Sequence, residues 1–512
     1  MNISLTKQNA SRVYFLMILL VAPLYMTNGF NNILRAKTYI VWLSIIIAAV
    51  LLLSLFIKNI GIQIRNKSLG EYIKGQMSEV GNGFNVLDVC VLAFAVICLI
   101  SASFSEYRDA AFSGDMAWHV GALMLISLCA LYFAASRGYE LDIVPFFGMM
   151  LGGTIAMIIA ILNDLWIDPL NAQMKLDPNW RDHFTSTIGN TNQFCGYLSI
   201  IIPIMVIIFV TSENGFKKTA AAIVLFFAYL NMYLTHADGI YVGVGIGYMF
   251  IIAFCFRKAS RYMGLLINGI LFGVSGFAAK VIILYRPEIR LEDISPILLA
   301  HNVHVIIGGG CFALLLLHMY LEMKLSKEQL ESIFKRVFWV YIVVAVLCCL
   351  GAIVWAVKNY DMNFLNRRGL LWFIAVDGFF TQELPQQIIG VGPGCIDAIS
   401  MDYYFEIEEA YGAFYFIENA HNDILEYLFT TGLLGAIAYL GIYLSVIVSF
   451  VRSLIKNENL EGIELYATIG LVGYMAQSLM NGPHPLTTAM FFVLLTIYRG
   501  SKLRKSQISD LT

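Results

Sequence analysis

Residues 38–57 read TYIVWLSIIIAAVLLLSLFI, twenty positions with Lys37 before them, Lys58 after them and no charge between. A stretch of about 20 apolar residues is what an α-helix needs to cross the hydrocarbon core of a bilayer. Working outward from it, thirteen further stretches read the same way, near 13–30, 86–104, 117–135, 143–162, 194–211, 219–235, 239–256, 262–285, 297–321, 338–357, 424–450, 463–480 and 485–498. The chain has 512 residues, is 59% hydrophobic and 13% charged, and has a mean hydropathy of +0.73. Soluble domains carry about 25% charged residues. Only helices and closed barrels satisfy their backbone in lipid. The ten-residue alternating segments of a barrel are missing from the sequence. The fold class expected is therefore all-α: one polytopic transmembrane bundle over 1–512, with about 14 spans and a range of 12–14.

Charge sets the expected orientation, because Lys and Arg concentrate in cytoplasmic loops. With the N-terminus placed inside, Lys7, Lys58, Arg137, Lys217, Arg257, Lys324, Arg452, Arg499 and the basic residues around them fall on the cytoplasmic side. That side then holds 22 of the 33 Lys and Arg residues, against 11 outside. Both termini are expected in the cytoplasm of a cell (plasma or inner) membrane. Two outer segments are long, 163–192 and 358–420. The second carries Asp377, Glu383, Asp397, Asp402, Glu406, Glu408, Glu409 and Glu418 together with many aromatic residues. Such aromatic content argues for an ordered segment, and its part from Arg368 to Phe380 reads as an amphipathic helix on the membrane surface.

The nine cysteines are scattered, mostly within apolar runs, and lack metal-ligand spacing. No metal and no cofactor are expected. No glycine-rich nucleotide motif lies on the cytoplasmic side, and no nucleic-acid partner is expected. Chemistry concentrates instead at 366–440. Arg367 and Arg368 can grip phosphate oxygens in a planar fork. The turn Gly390-Val391-Gly392-Pro393-Gly394 could cradle an anion on its N–H groups or be a tight turn without a ligand. His421, at a loop–membrane boundary, can accept a proton from a hydroxyl near neutral pH or cap the helix that follows. Asp423 and Glu426 share one face of that helix, and intramembrane carboxylates are functional suspects. His484, between Pro483 and Pro485, reads as a structural residue in an outer turn.

His421-Asn422 is followed by nine residues and then Gly432-Leu433-Leu434-Gly435. This H-N-x9-G-x-x-G spacing resembles the signature of the O-antigen ligase and O-antigen polymerase family. Arg368-x-x-x-Trp372 and the Gly390–Gly394 turn precede it in the order that family shows. Gly189-Asn190-Thr191-Asn192, followed by Gly196-Tyr197-Leu198, resembles its G-N-x-N segment. The resemblance is sharp over about 70 residues, 366–440.

It implies a membrane glycosyltransferase of cell-envelope polysaccharide biosynthesis. The donor would be a glycan on a polyprenyl diphosphate, and the acceptor another glycan or a lipid-linked sugar. Neither metal nor nucleotide sugar would be involved. His421 and Arg368 would be catalytic. Arg367, Asn422, Gly392, Gly394, Asn190, Asn192 and Asp238 would face substrate. Asp238 marks a departure: Leu234-Thr235-His236-Ala237-Asp238-Gly239 stands where the family often has Ser-Arg-Gly, and an aspartate does not hold phosphate unaided. Arg181, Arg286 or Arg290 takes over the missing charge, or the substrate differs, or catalysis is lost. Two rivals remain: a flippase-like transporter, and an inactive scaffold of the same family.

The 22-to-11 charge split generates a direct test of orientation. In a cysteine-free background, cysteine at Glu408 is expected to react with a membrane-impermeant thiol reagent in intact cells, and cysteine at Ser501 is not. The reverse pattern would overturn the assignment.

Overall fold

The computed structural model describes residues 6–509 except 83, 117, 138, 236, 288, 290, 292, 293, 459 and 461. His236 and Arg290, both named above, therefore lie outside the described residues. The chain is 80% helical. Among the described residues the only strands are a two-residue antiparallel pair, Phe184–Thr185 with Gly189–Asn190, with Phe184 opposite Asn190.

Helix occupies every one of the fourteen apolar stretches. Among the described residues nine helices are long and apolar enough to cross a membrane, and such helices fit a lipid bilayer environment. Three of the other stretches form shorter or divided helices. The first is divided into Lys7–Leu16, a π-helical turn Met17–Val21 and Ala22–Leu24. Ala122–Ser136 and Ile463–Gln477 have 15 residues each. The stretch at 424–450 is split into Asp423–Thr430 and Gly432–Lys456, and the longer part is one of the nine.

The helix Thr191–Thr211 is the axis of the bundle, with 89% of its apolar window buried. Helices Gly215–Leu234, Gly239–Phe256, Ala259–Tyr285 and Ile463–Gln477 pack around it. Small residues permit the closest approaches: a Cβ added at Gly247 would stand 3.0 Å from Pro203 Cγ, as expected where apolar solvent leaves packing to hold helices together. Lys327–Lys358 is the opposite case, with 6% of its window buried. Its apolar sides face outward, where lipid tails are as favourable as protein.

One buried ion cluster ties distant parts of the bundle. Asn85 and Asp88 form a reciprocal capping box at the start of Val86–Phe104. The same Asp88 carboxylate, 0% exposed, accepts from Arg499 Nη2 at 2.6 Å, from Arg499 Nε at 3.0 Å and from the Tyr132 hydroxyl at 2.8 Å. Arg137 Nη2 stands 3.3 Å away. Three helices, with contacts reaching across 44 and 411 positions, thus meet on one carboxylate.

The segment 358–420 is folded. It contains helices Phe364–Thr381, Leu384–Ile389 and Tyr404–Tyr411 and a 3-10 turn Ile396–Tyr403. The expected surface helix from Arg368 is instead half of a small core. Leu370, Leu371, Ile374 and Ala375 are buried against Ile396, Ile399, Tyr403 and Ile407. Ser501 is fully buried, so Arg504, which is exposed, is the better position near the C-terminus for thiol labelling.

Removing one member of a buried ion cluster leaves the others uncompensated, at a cost of about 3–5 kcal/mol. Asp88→Asn and Arg499→Met are each expected to lower the melting temperature of the detergent-purified protein sharply. An unchanged melting temperature in both would show that the cluster does not hold the bundle.

Candidate active site

His421 sits on strained backbone, with φ of 48°. Left-handed conformations cost a non-glycine residue on the order of 1–3 kcal/mol and persist only where surroundings impose them. Here they are imposed from both sides. The Ala420 N–H donates to Glu426 Oε2 at 2.8 Å, and the His421 N–H donates to Asn419 Oδ1 at 2.8 Å. Just beyond, Asn422 caps the helix Asp423–Thr430 by accepting from the N–H groups of Ile424 and Leu425. Its amide nitrogen donates to the Leu479 carbonyl. The Asp423 N–H donates to the Ser478 carbonyl at 2.9 Å.

The two carboxylates on that helix act as anchors. Asp423 is fully buried and accepts through Oδ2 from Tyr474, Tyr439 and Tyr443 at 2.8, 2.9 and 3.3 Å. Glu426 holds Ala420. Their shared face, read above as a functional suspect, is what positions the histidine.

Arg368 follows a second strained run. Leu365, Asn366 and Arg367 all have positive φ, 49°, 57° and 66°. This turn aims Arg368 inward, and its guanidinium is anchored at three nitrogens. Nε donates to the Met480 carbonyl at 2.8 Å, Nη1 to the Leu365 carbonyl at 3.1 Å and Nη2 to Asn192 Oδ1 at 3.3 Å. Arg367 turns the other way and lies over the Tyr411 ring at 4.7 Å, a cation–π contact within the 358–420 segment.

The two groups meet at the same place. The Met480 backbone, the Asn481 side chain and the Arg368 charge all lie close enough to act on the His421 ring. Burial first, and that charge second, push the His421 pKa down to about 3. The imidazole is therefore neutral throughout the physiological range. Among the described residues its Nδ1 is buried without a hydrogen-bond partner.

The remaining named residues divide. Asn192 belongs to the cluster through Arg368. Asn190 is the N-cap of the axial helix, accepting from the Asn192 N–H at 2.9 Å. Gly392 does not offer its N–H to an anion, because that N–H donates to the Thr430 carbonyl at 2.9 Å. A Cβ at Gly392 would stand 2.6 Å from Ala111 Cβ, and one at Gly394 3.2 Å from Gly114 Cα. The glycine turn is thus packed on protein. Gly432 serves as a left-handed break, φ 68°, pressed on the Ile388 carbonyl. Asp238 Oδ1 accepts from the Ile294 N–H at 3.2 Å. Its neighbour Gly239 lies beside Met480, with an added Cβ 3.9 Å from Met480 Cβ, so the departure borders the cluster. Arg286 donates to the Leu165 carbonyl, and Arg181 lines a separate cavity with Asp164, Asp168 and Asp182.

Three contributors carried no sequence signal strong enough to find them. Trp118 donates through Nε1 to Glu418 Oε2 at 2.7 Å. Its ring is edge-on to both His421 and His484, with centroids 6.0 Å away in each case. Asn481 donates to the Gln477 side chain and the Asn192 carbonyl. His484 is 2% exposed, and among the described residues neither ring nitrogen has a partner. The Pro-His-Pro sequence signalled only a turn; that its histidine points inward is decided by the start of the final helix at Pro485.

No family model matches this chain, and no curated protein matches it.

Burial, then the Lys37 charge, hold the His484 pKa at about 3. An unfolded histidine titrates at about 6.5. Between those values the unfolded chain binds a proton that the folded chain does not, so stability falls as pH falls from about 6.5 toward 3. His484→Gln is expected to flatten that decline, read as melting temperature against pH. An unchanged slope would place His484 in the charged form in the folded protein.

Proposed function

We propose that this protein is an integral-membrane glycosyltransferase of the O-antigen ligase or polymerase type. It moves a glycan from an outer-leaflet polyprenyl diphosphate to a hydroxyl on a glycan or lipid-linked acceptor. The observation that carries the reading is the convergence of Arg368 and His421 on Met480. Both belong to the motif that resembles this family, and each follows or occupies strained backbone. The 358–420 segment is the extracytoplasmic part in this reading, and both termini are cytoplasmic.

The chemistry follows from the two side chains. The neutral imidazole of His421 takes the proton of the acceptor hydroxyl as its oxygen attacks the anomeric carbon. A new glycosidic C–O bond forms and the bond from that carbon to the diphosphate oxygen breaks. The polyprenyl diphosphate leaves with both electrons of that bond. Arg368, fixed by protein acceptors, is a preorganised positive charge for the leaving oxygens and needs little reorganisation as charge develops. The imidazolium then returns its proton to solvent.

A transporter reading has one observation in its favour. The helix broken between Thr430 and Gly432 beside a polar cluster is the kind of element that transporters use. An assay with a lipid-linked oligosaccharide and purified protein separates the readings. Glycan transfer supports the enzyme; translocation without transfer supports the flippase; neither supports a scaffold.

In that assay His421→Ala is expected to lower transfer by about 10²–10⁴-fold while donor binding persists. Arg368→Lys is expected to be severe, since an ammonium lacks the planar fork. Arg367→Lys is expected to be mild, as its contact is with Tyr411. An active His421→Gln enzyme with normal donor binding would sink the catalytic role.

A further inference from the structure

The strand pair Phe184–Thr185 with Gly189–Asn190 leads directly into the axial helix, whose Asn192 accepts from Arg368. The same pair serves a second place. Phe184 and Thr185 line a cavity of about 110 Å³ together with Trp166, Asp168, Arg181 and Asp182, among others. A water needs about 10–15 Å³ of such space. The cavity therefore takes several polar groups at once, which is the scale of one sugar ring.

Its walls are fixed by polar bonds. Asp168 accepts from the N–H groups of Ala172, Gln173 and Met174 at 2.9, 2.8 and 3.1 Å. Ser186 ties the hairpin to the helix Val144–Asp164: its N–H donates to Asn163 Oδ1 at 3.0 Å and its hydroxyl to the Ala156 carbonyl at 2.8 Å. Two lining groups are left over. Thr185 is 6% exposed, and among the described residues its Oγ1 is buried without a hydrogen-bond partner. Arg181 Nε is in the same state. Folded proteins pair the great majority of their buried polar atoms, so two orphans in one small cavity call for a ligand. The hydroxyl can donate and accept, and the guanidinium nitrogen donates. Beside them Trp166 leaves 67% of its surface open.

We propose that this cavity binds one neutral sugar ring, at a subsite outside the Arg368–His421 cluster. A pyranose has an apolar C–H face, which suits the open Trp166 indole. Its hydroxyls both give and take hydrogen bonds, which is what Thr185 Oγ1 and Arg181 Nε lack. An aromatic wall with a few fixed polar groups is the usual make-up of a small-molecule site. Charged ligands fit less well. An anion would meet the Asp168 and Asp182 carboxylates, and a cation would meet the Arg181 guanidinium. The proposal goes beyond the glycosyltransferase reading and does not rest on it, since sugar binding here needs neither His421 nor a lipid carrier.

The test uses the full chain in a polyoxyethylene detergent, which carries no sugar, and reads binding by saturation-transfer NMR. The probes are glucose, galactose and N-acetylglucosamine, with sorbitol as the ring-free control and sulfate as the anion. Wild type is expected to bind at least one of the sugars above sorbitol. Trp166→Ala is expected to weaken that binding about tenfold. Thr185→Val is expected to weaken it about 2–10-fold, the loss of one hydrogen bond, with the melting temperature unchanged or raised because the hydroxyl has no partner in the protein. A structural role for that hydroxyl would lower the melting temperature instead. Arg181→Met is expected to weaken binding as Thr185→Val does, which covers the case where Trp166→Ala fails to fold. Trp180→Ala, at an exposed tryptophan outside the cavity lining, and His421→Ala are both expected to leave it unchanged. Loss of sugar binding in His421→Ala would move the sugar to the Arg368–His421 cluster and overturn the proposal. So would binding of sulfate without any sugar, no sugar above sorbitol, or full binding in folded Thr185→Val and Arg181→Met.

Discussion

The structure depends on one carbonyl. The helix that starts at Asp423 stops at Thr430, and Gly432 turns the chain before a new helix begins. Breaking a helix in an apolar setting frees backbone groups that water cannot satisfy. The Thr430 carbonyl finds two donors. One is the Ser101 hydroxyl at 3.0 Å, on the helix Val86–Phe104. The other is the Gly392 N–H at 2.9 Å, from the glycine turn of the 358–420 segment. Satisfying this single atom clamps that segment to the bundle. The Ser105 hydroxyl adds a second clamp on the Val391 carbonyl at 2.5 Å. Without the break, the short helix carrying His421 at its mouth would have no reason to change direction.

The end of the molecule that holds His421 and Arg368 is built from strain held by polar bonds. His421 and the run Leu365–Arg367 sit in left-handed backbone, and each is restrained by neighbours with no chemical role of their own. Asp423 shows how strong that restraint is. Three tyrosines from two helices converge on its Oδ2. Such a network, sealed from water, specifies one arrangement because any slip leaves a buried charge unpaired. Rigidity of this kind is what a fixed cation and a neutral imidazole need to act as preorganised partners.

Polarity divides the bundle along its helices. One end gathers His421, Arg368, Asn481 and His484 around neutral or anchored groups; the other gathers Arg257, Lys258 and Arg261 around a cavity. The same helices, Gly239–Phe256, Gly432–Lys456 and Ile463–Gln477, connect the two ends. The axial helix Thr191–Thr211 contributes Asn192 at one end and packs tightly thereafter.

By itself the sequence determined the class of fold and singled out two residues to examine together. Uncharged runs such as 38–57 admit helix and little else, because lipid leaves no other way to satisfy a backbone. The motif spacing singled out Arg368 and His421, and the structure brings them to one place. It was also enough to expect order in 358–420 from its aromatic content. What it left undecided depended on partners far away in the chain. Whether Gly392 cradles an anion or serves Thr430 is settled by which carbonyl lies opposite, 38 positions later. Whether Asp423 is reactive or an anchor turns on three tyrosines up to 51 residues away. Trp118 looks unremarkable in sequence and becomes a neighbour of both His421 and His484 only through the packing of three separate segments. Hydropathy and spacing are local properties, so they reach as far as a helix and a motif. The contacts that give a polar side chain its role are made across the bundle, and only the tertiary structure decides them.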